Sequence, residues 1–208
     1  MFIVDGHCDT IQVALDKGLD LEDKSLSFNL KEALEEAPLI QMTAAFINPS
    51  YKNSFQRACE IIKHFVKQIY KYPKELIQIK VVDDIETVRK NNKIGCILTI
   101  ENGSAIEDNL KNIEYFYQKG VKVMSITWNE DNLLGCGAYT KQDNGLTELG
   151  KQYIKKLNEK KIIVDVSHSS EKSFWDAIKV SENPVVATHS CCYSLCSHSR
   201  NLKDEQIK

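Results

Sequence analysis

The chain has 208 residues, of which 42% are hydrophobic and 27% are charged, and its formal net charge at pH 7 is -2. This composition predicts a folded globular domain over residues 1–208 and argues against a disordered chain. The near-neutral charge gives no electrostatic reason to expect a nucleic acid or an anionic membrane as partner. No apolar run reaches membrane-spanning length, and no secretory segment precedes the first strand-like run.

The cysteine content indicates a reducing environment. Seven cysteines are present, an odd number, and no two of them are spaced as a C-x-x-C pair. This pattern predicts reduced thiols without a structural disulfide, as is typical of a cytoplasmic protein.

Strand-like runs alternate with helix-like segments along the whole chain. Apolar runs predict strands at residues 2–6, 39–47, 95–100, 121–127, 162–167 and 185–188. Apolar residues recur at helical spacing in residues 54–71, 106–119, 149–160 and 171–180. Nearly continuous apolar strands separated by helices are typical of a parallel sheet covered by helices, so the predicted class is α/β.

Imidazole and carboxylate side chains stand at the ends of four predicted strands. His7 and Asp9 are two positions apart at the end of the first strand, which points them the same way if the strand continues. Glu101, His168 and His189 follow the third, fifth and sixth strands. Neutral imidazoles and carboxylates suit zinc and similar ions, so the pattern predicts a metal-dependent hydrolase.

These strand ends also bear on the architecture. Alternating strands and helices fit either an open doubly wound sheet or a closed (β/α)8 barrel of the TIM type. Only the barrel brings the ends of strands one, three, five and six to a common mouth. About six βα units are readable, whereas such barrels run to about 250 residues. A helix predicted to begin near Asp204 has no room to continue, so we expect a barrel that is incomplete at its C-terminal end.

Several motifs resemble those of the membrane (renal) dipeptidase family of binuclear zinc peptidases. They lie at residues 5–10, 100–103, 127–129, 145–147, 164–168, 189–193 and 200–201. The resemblance implies a zinc-dependent dipeptidase with an amidohydrolase-like barrel and two zinc ions. Within it, His7 and Asp9 correspond to ligands of one ion, and His168 and His189 to ligands of the other. Glu101 corresponds to the carboxylate that bridges both ions and is the catalytic residue of this prediction.

The resemblance also suggests how a dipeptide would be bound. Arg200 lies where the family places the arginine that receives the free C-terminal carboxylate of the substrate, and a guanidinium matches a carboxylate in a bidentate manner. Better-known members have a histidine where this chain has Trp128, which cannot act as an acid or base. Asn129, the next residue, is predicted to contact the substrate as a hydrogen-bond donor. A late aspartate of the family would lie on the eighth strand, beyond the six units that are readable here.

Two alternatives remain open from the sequence. One is a different metal-dependent amidohydrolase, because a His-x-Asp strand end also occurs in enzymes that open cyclic amides or deaminate bases. The other is a catalytically inactive, truncated fragment. An incomplete barrel would leave unpaired strand edges, which favour association, so a homo-oligomer is also possible.

Overall fold

The structure is a computed structural model that describes residues 2–208. Six strands alternate with helices, as expected from the apolar pattern. The elements in chain order are β1 (Ile3–Cys8), α1 (Thr10–Lys17), α2 (Leu30–Glu35), β2 (Leu39–Phe46), α3 (Ser54–Lys71), β3 (Leu76–Gln78), α4 (Val82–Lys90), β4 (Ile94–Glu101), a 3-10 turn (Gly103–Ile106), α5 (Asn112–Gln118), β5 (Val123–Ser125), α6 (Glu148–Glu159), β6 (Ile163–Asp165), α7 (Glu171–Val180) and α8 (Asp204–Ile207).

All six strands of residues 2–208 belong to one parallel sheet, in which five follow the order β1-β2-β4-β5-β6 and β3 pairs with β4 beside that path. The strand β2 pairs with β4 along its whole length, from Leu39 opposite Ile94 to Phe46 opposite Glu101. The short strands β3 and β5 pair with the N-terminal and C-terminal parts of β4, respectively. The sheet curls into a half-barrel, which confirms the predicted α/β class and a partial TIM barrel. Because every pair is parallel, the C-terminal strand ends meet at one edge.

The structure adds one strand that the sequence does not predict and corrects another that it does. The strand β3 was not predicted, because its three residues are too few to show a period of their own. The predicted strand at residues 185–188 is only an isolated parallel bridge between Val186 and Asp165. The Val186 amide donates to the Val164 carbonyl over 3.0 Å, and the Val186 carbonyl accepts from the Val166 amide over 2.8 Å. The segment therefore lies beside β6 but is too briefly paired to form a regular strand.

The core lies between the sheet and the helices packed against it. The longest helix, α3, buries Ala58, Ile61, Ile62 and Phe65 on one side, and each large apolar side chain contributes about 1.5–3 kcal/mol by leaving water. Thr147 is the N-cap of α6, because its hydroxyl accepts the amide hydrogen of Gly150 over 3.0 Å. Within residues 2–208, none of the helices combines the length and apolar character that crossing a bilayer requires.

Candidate metal centre

Three histidines from distant parts of the chain converge on the carboxylate of Glu101. The Nε2 atom of His7 lies 3.3 Å from Oε2 of Glu101. On the other side of the carboxylate, Nε2 of His168 lies 2.8 Å from Oε1 and Nε2 of His189 lies 3.5 Å from the same atom. The rings of His7 and His189 stack with their centroids 3.9 Å apart. One oxygen of this buried glutamate therefore faces one imidazole, and the other oxygen faces two.

Asp9 joins this cluster, although not by the strand alternation that the sequence suggested. The pairing of β1 with β2 shifts register between Asp5 and Cys8, and Asp9 lies outside the strand as the N-cap of α1. A bulge and a helix start therefore place the Asp9 Oδ1 atom 3.4 Å from Nε2 of His7. This oxygen is buried and has no hydrogen-bond partner. A buried carboxylate oxygen that accepts no hydrogen bond and lies beside the imidazole of His7 suits a cation.

His168 is held in a rarely populated backbone conformation by its neighbours. Its φ is 69°, in the left-handed region that a non-glycine residue seldom adopts. Its carbonyl oxygen accepts hydrogen bonds from the Ala138 amide over 2.8 Å and from the Thr127 hydroxyl over 3.2 Å. These bonds hold the turn after β6 that directs the imidazole towards Glu101.

The end of β4 is anchored by Asn102, whose structural role the sequence reasoning missed. Its side-chain amide donates to the Ile47 carbonyl over 2.8 Å, and its backbone amide donates to the Ser125 hydroxyl over 2.7 Å. The amide of Asn132 in turn donates to the Asn102 side-chain oxygen over 3.0 Å. Asn102 therefore links the ends of β2, β4 and β5 directly after Glu101. The signal in the sequence was an asparagine between a strand end and Gly103, where a positive φ is readily adopted.

The hydrogen-bond partner of His168 leaves one nitrogen of its ring free to bind an ion. Asn129 Oδ1, which can only accept, lies 2.8 Å from Nδ1 of His168. Nδ1 of His168 therefore carries the hydrogen, and its Nε2 presents a lone pair towards Glu101. One ligand atom each of His7, Glu101 and His189 lie within 4.8 Å of one another. Carboxylate oxygens and imidazole nitrogens at such distances are the donor set of zinc and related ions.

The charges of the cluster depend on burial and on the hydrogen bonds within it. Burial opposes ionisation of Glu101, but the imidazoles of His168, His189 and His7 beside its oxygens, together with the charge of His7, outweigh burial and hold the pKa of Glu101 well below its usual range. Burial likewise opposes protonation of His7, but the neighbouring carboxylates of Asp9 and Glu101 outweigh it and raise the pKa of His7 to about 10. Burial lowers the pKa of His168. Glu101 is therefore ionised at neutral pH and His168 is a neutral imidazole.

The two residues predicted to bind substrate also lie near the cluster. Arg200 donates from Nη2 to the His189 carbonyl oxygen over 3.3 Å. It lines a cavity of about 370 Å³ with Ser170, Ser190 and Lys203, although none of the five predicted metal ligands lines that cavity. Asn129 directs its side-chain oxygen to His168, and its predicted contact with substrate stays a prediction.

Trp128 forms part of an aromatic wall next to the histidines. Its ring centroid lies 5.2 Å from that of Phe46 and 6.0 Å from that of His168. Both Trp128 and Phe46 are partly exposed. The wall is apolar and partly open to solvent, so it can contact an apolar group bound beside the cluster.

Two aspartates stabilise the long connection between β5 and α6, one within the connection and one across to α7. Asp131 accepts from the Gly137 amide over 3.0 Å and from the Thr140 hydroxyl over 2.9 Å. Asp143 accepts from the Ser170 hydroxyl over 2.6 Å and from the Lys172 amide over 2.8 Å. The connection is thereby joined to the start of α7.

Comparison with known proteins identifies relatives across the whole chain. The model of the membrane dipeptidase family, peptidase family M19, matches residues 1–208. An uncharacterized dipeptidase of Schizosaccharomyces pombe is 29% identical over 185 residues, which are 81% of this chain and 44% of the relative. An uncharacterized protein of Acinetobacter calcoaceticus is 35% identical over 147 residues, or 68% of this chain and 47% of the relative. The chain thus spans about half the length of these curated relatives.

Solved structures share the fold at low sequence identity. A metallopeptidase described as dipeptidase AC superposes with a TM-score of 0.88 at 22% identity, covering 100% of this chain and 68% of that one. A metallopeptidase of Rhodobacter sphaeroides superposes with a TM-score of 0.86 at 20% identity, covering 100% of this chain and 70% of that one. These superpositions agree with a partial barrel.

Proposed function

Since the chain belongs to the membrane dipeptidase family, we propose that it hydrolyses the peptide bond of dipeptides that have a free C-terminal carboxylate, with two zinc ions as cofactors. The observation that carries this proposal is the convergence of His7, His168 and His189 on both oxygens of Glu101. The Rhodobacter sphaeroides structure holds a phosphinate mimic of the dipeptide L-Ala-D-Ala, which supports a dipeptide as the substrate class.

The two sides of Glu101 suggest how the ions would be divided. His7 and Asp9 would hold one ion on the Oε2 side, and His168 and His189 would hold the other on the Oε1 side. Glu101 would bridge them, which requires a carboxylate that stays ionised at neutral pH. When bound, the ions would activate water and polarise the scissile carbonyl.

The chain's own residues would bind and orient the dipeptide. Arg200 would pair with the free C-terminal carboxylate, because its guanidinium presents two parallel donors to two oxygens. This contact would favour short substrates, whose carboxylate lies close to the bond that is cut. Trp128 carries no group that titrates near neutral pH, so it would contribute apolar contact and leave proton transfer to other groups.

The metal assignment is tested by replacing one histidine inside the cluster and one outside it. We expect His168→Ala to remove one bound ion and nearly all dipeptide hydrolysis, because it deletes a predicted ligand of the cluster. The matched control is His64→Ala, since His64 lies in α3 and its ring contacts Gln68. Metal content measured by elemental analysis should be unchanged in the control. Full metal content in His168→Ala would contradict the assignment.

The substrate assignment is tested with a pair of matched dipeptides. A dipeptide with a free carboxylate should be hydrolysed, and the same dipeptide with an amidated C-terminus should not, because Arg200 then has no anion to bind. Arg200→Lys should raise KM more than it lowers kcat, since a lysine keeps the charge but loses the bidentate geometry. Equal hydrolysis of both peptides would instead favour another metal-dependent amidohydrolase.

A further inference from the structure

Asp165 is a buried carboxylate without a charged partner. It ends β6 and is 5% exposed, and the ion pairs found within residues 2–208 do not include it. Its Oδ1 atom accepts from the backbone amides of Ser167 over 2.9 Å and Thr188 over 3.3 Å. Its Oδ2 atom accepts from the Thr188 hydroxyl over 2.6 Å. A buried charge satisfied only by neutral donors is costly, so its position calls for an explanation.

The hydrogen bonds of Thr188 lead from this carboxylate to the metal centre. The Thr188 hydroxyl has one hydrogen, and it is donated to Asp165 Oδ2 in a short, charge-assisted bond. Its oxygen lies 2.8 Å from Nδ1 of His189 and therefore accepts the hydrogen of that nitrogen. Nδ1 of His189 is then the protonated nitrogen, and Nε2 is left with a lone pair.

The lone pair on Nε2 of His189 points to the same place beside Glu101 as the lone pair on Nε2 of His168. The two Nε2 atoms are 2.8 Å apart, and Nε2 of His189 is 3.5 Å from Oε1 of Glu101. Asn129 orients His168 in the same way that Thr188 orients His189. Two imidazoles from different segments are thus each held with Nδ1 bonded outward and Nε2 directed inward.

We propose that Asp165 and Thr188 are positioning residues that hold His189 as its Nδ1–H tautomer and strengthen its Nε2 as a metal ligand. The inference rests on the proposed function, in which His189 binds a cation. Through Thr188, the negative charge of Asp165 increases the electron density on the imidazole, as carboxylates behind metal-bound histidines do. This accounts for a buried carboxylate that touches neither the cation site nor a basic side chain.

We call the hydrogen bonds from Asp165 through Thr188 to His189 the relay. The relay is tested first in the unmodified protein loaded with zinc. In a nitrogen–proton NMR spectrum, His189 should show a hydrogen on Nδ1 that exchanges slowly with water, because Thr188 accepts it. This measurement does not depend on activity or on whether any variant folds. A His189 that carries its hydrogen on Nε2 would overturn the proposal.

Variants then test the contribution to affinity. Thr188→Val keeps the branched shape but cannot accept the Nδ1 hydrogen, so we expect about 10- to 100-fold weaker zinc binding in a competition titration and fast exchange of that hydrogen. Thr188→Ser should restore both properties. Asp165→Asn should weaken binding as well, because its amide can turn the hydroxyl hydrogen of Thr188 towards Nδ1.

The controls separate a failure of the relay from a failure of the proposed function. Thr99→Val removes a buried hydroxyl that donates only to the Thr43 carbonyl, so it should leave zinc affinity unchanged. His189→Ala should remove an ion. If His189→Ala keeps all its zinc, the proposed metal site is wrong. If His189→Ala loses zinc while Thr188→Val binds it like the wild type, only the relay is wrong.

Discussion

Glu101 ends the central strand β4 and has one carboxylate oxygen directed to His7 and the other to His168 and His189. It is 5% exposed, so its charge is stabilised by these imidazoles rather than by water. In the absence of a metal ion, the pKa of His7 is raised to about 10, which places a proton near the position proposed for a cation. The chemistry of the centre therefore depends on one buried negative charge.

Glu101→Gln should have the largest effect of any single substitution at this site. Glutamine keeps the size of the side chain but removes the negative charge and one of the two oxygens able to bind a metal ion. We expect loss of at least one bound ion and a fall of more than about 100-fold in kcat/KM, because substitutions behind a metal ligand already cost 10- to 100-fold. Elemental analysis and a dipeptide assay measure both quantities.

A glutamate outside the cluster provides the comparison for this substitution. Glu107→Gln changes a solvent-exposed glutamate just after the 3-10 turn, so it should keep both ions and its activity. A Glu101→Gln protein with two ions bound would contradict the bridging role.

At the scale of the elements, the approach of β1 to the segment after β6 depends on a glycine. A Cβ atom at position 6 would overlap the carbonyl oxygen of Thr188. With hydrogen in its place, the rings of His7 and His189 stack 3.9 Å apart. Gly6 thus permits the contact between two segments that each supply a predicted ligand.

Gly6→Ala should lower both stability and metal affinity. The methyl group would push β1 away from residue 188, at a cost of about 1–3 kcal/mol for overpacking. The comparison is Gly18→Ala, where φ is +64° and nothing lies within 4 Å of the added Cβ atom. That substitution should cost about 1–2 kcal/mol from backbone strain but leave metal affinity unchanged. Denaturation curves and zinc titrations of both variants separate the two effects.

Asp20 joins the loop between α1 and α2 to the end of α3. Its carboxylate accepts hydrogen bonds from Lys71 and Tyr72. Burial opposes its ionisation, but these bonds outweigh burial and lower the pKa of Asp20 from 3.8. The stabilisation is therefore present above pH 3.8 and disappears as the pH falls below that value.

Asp20→Asn should consequently show a pH-dependent loss of stability. At neutral pH we expect a loss of up to about 1 kcal/mol, because the carboxylate is partly exposed and screened. The difference from the wild type should shrink once the pH is well below 3.8. Urea denaturation of both proteins at neutral pH and at a pH well below 3.8 measures this difference in stability. A difference that grows on acidification would have the wrong sign.

At the scale of the whole molecule, the predicted ligands connect parts of the sheet that are far apart in strand order. His7 lies in β1, at one end of the order, and His168 and His189 follow β6, at the other end. A cation bound between them would join both ends of the half-barrel. Metal binding should therefore be coupled to the stability of the fold.

Removal of metal should lower the thermal unfolding temperature. A ligand that binds only the folded state adds about 2.7 kcal/mol at a free concentration 100 times its Kd. Scanning calorimetry with added zinc and with a chelator should show a midpoint that rises with zinc concentration. The unfolding midpoint of His64→Ala should rise with zinc as much as that of the wild type, and the midpoint of His7→Ala should rise less. A midpoint insensitive to zinc in the wild-type protein would contradict the proposed centre.

The order of apolar and polar residues is enough to specify the parallel α/β architecture and the residues that gather at the strand ends. Apolar runs predicted β1, β2, β4, β5 and β6 to within a few residues, because strands buried on both faces are apolar along their length. It could not predict β3, which is too short to show a period, or the interruption of the segment around Val186.

The orientation of the side chains at the site depends on contacts that form when the chain folds. The bulge in β1, the left-handed backbone of His168 and the bonds from Asn129 and Thr188 to the imidazoles all depend on partners distant in the chain. Local sequence patterns report which face of an element is buried. Hydrogen-bond directions are set by the atoms that the fold brings alongside, and these determine which nitrogen of each histidine is free to bind a cation.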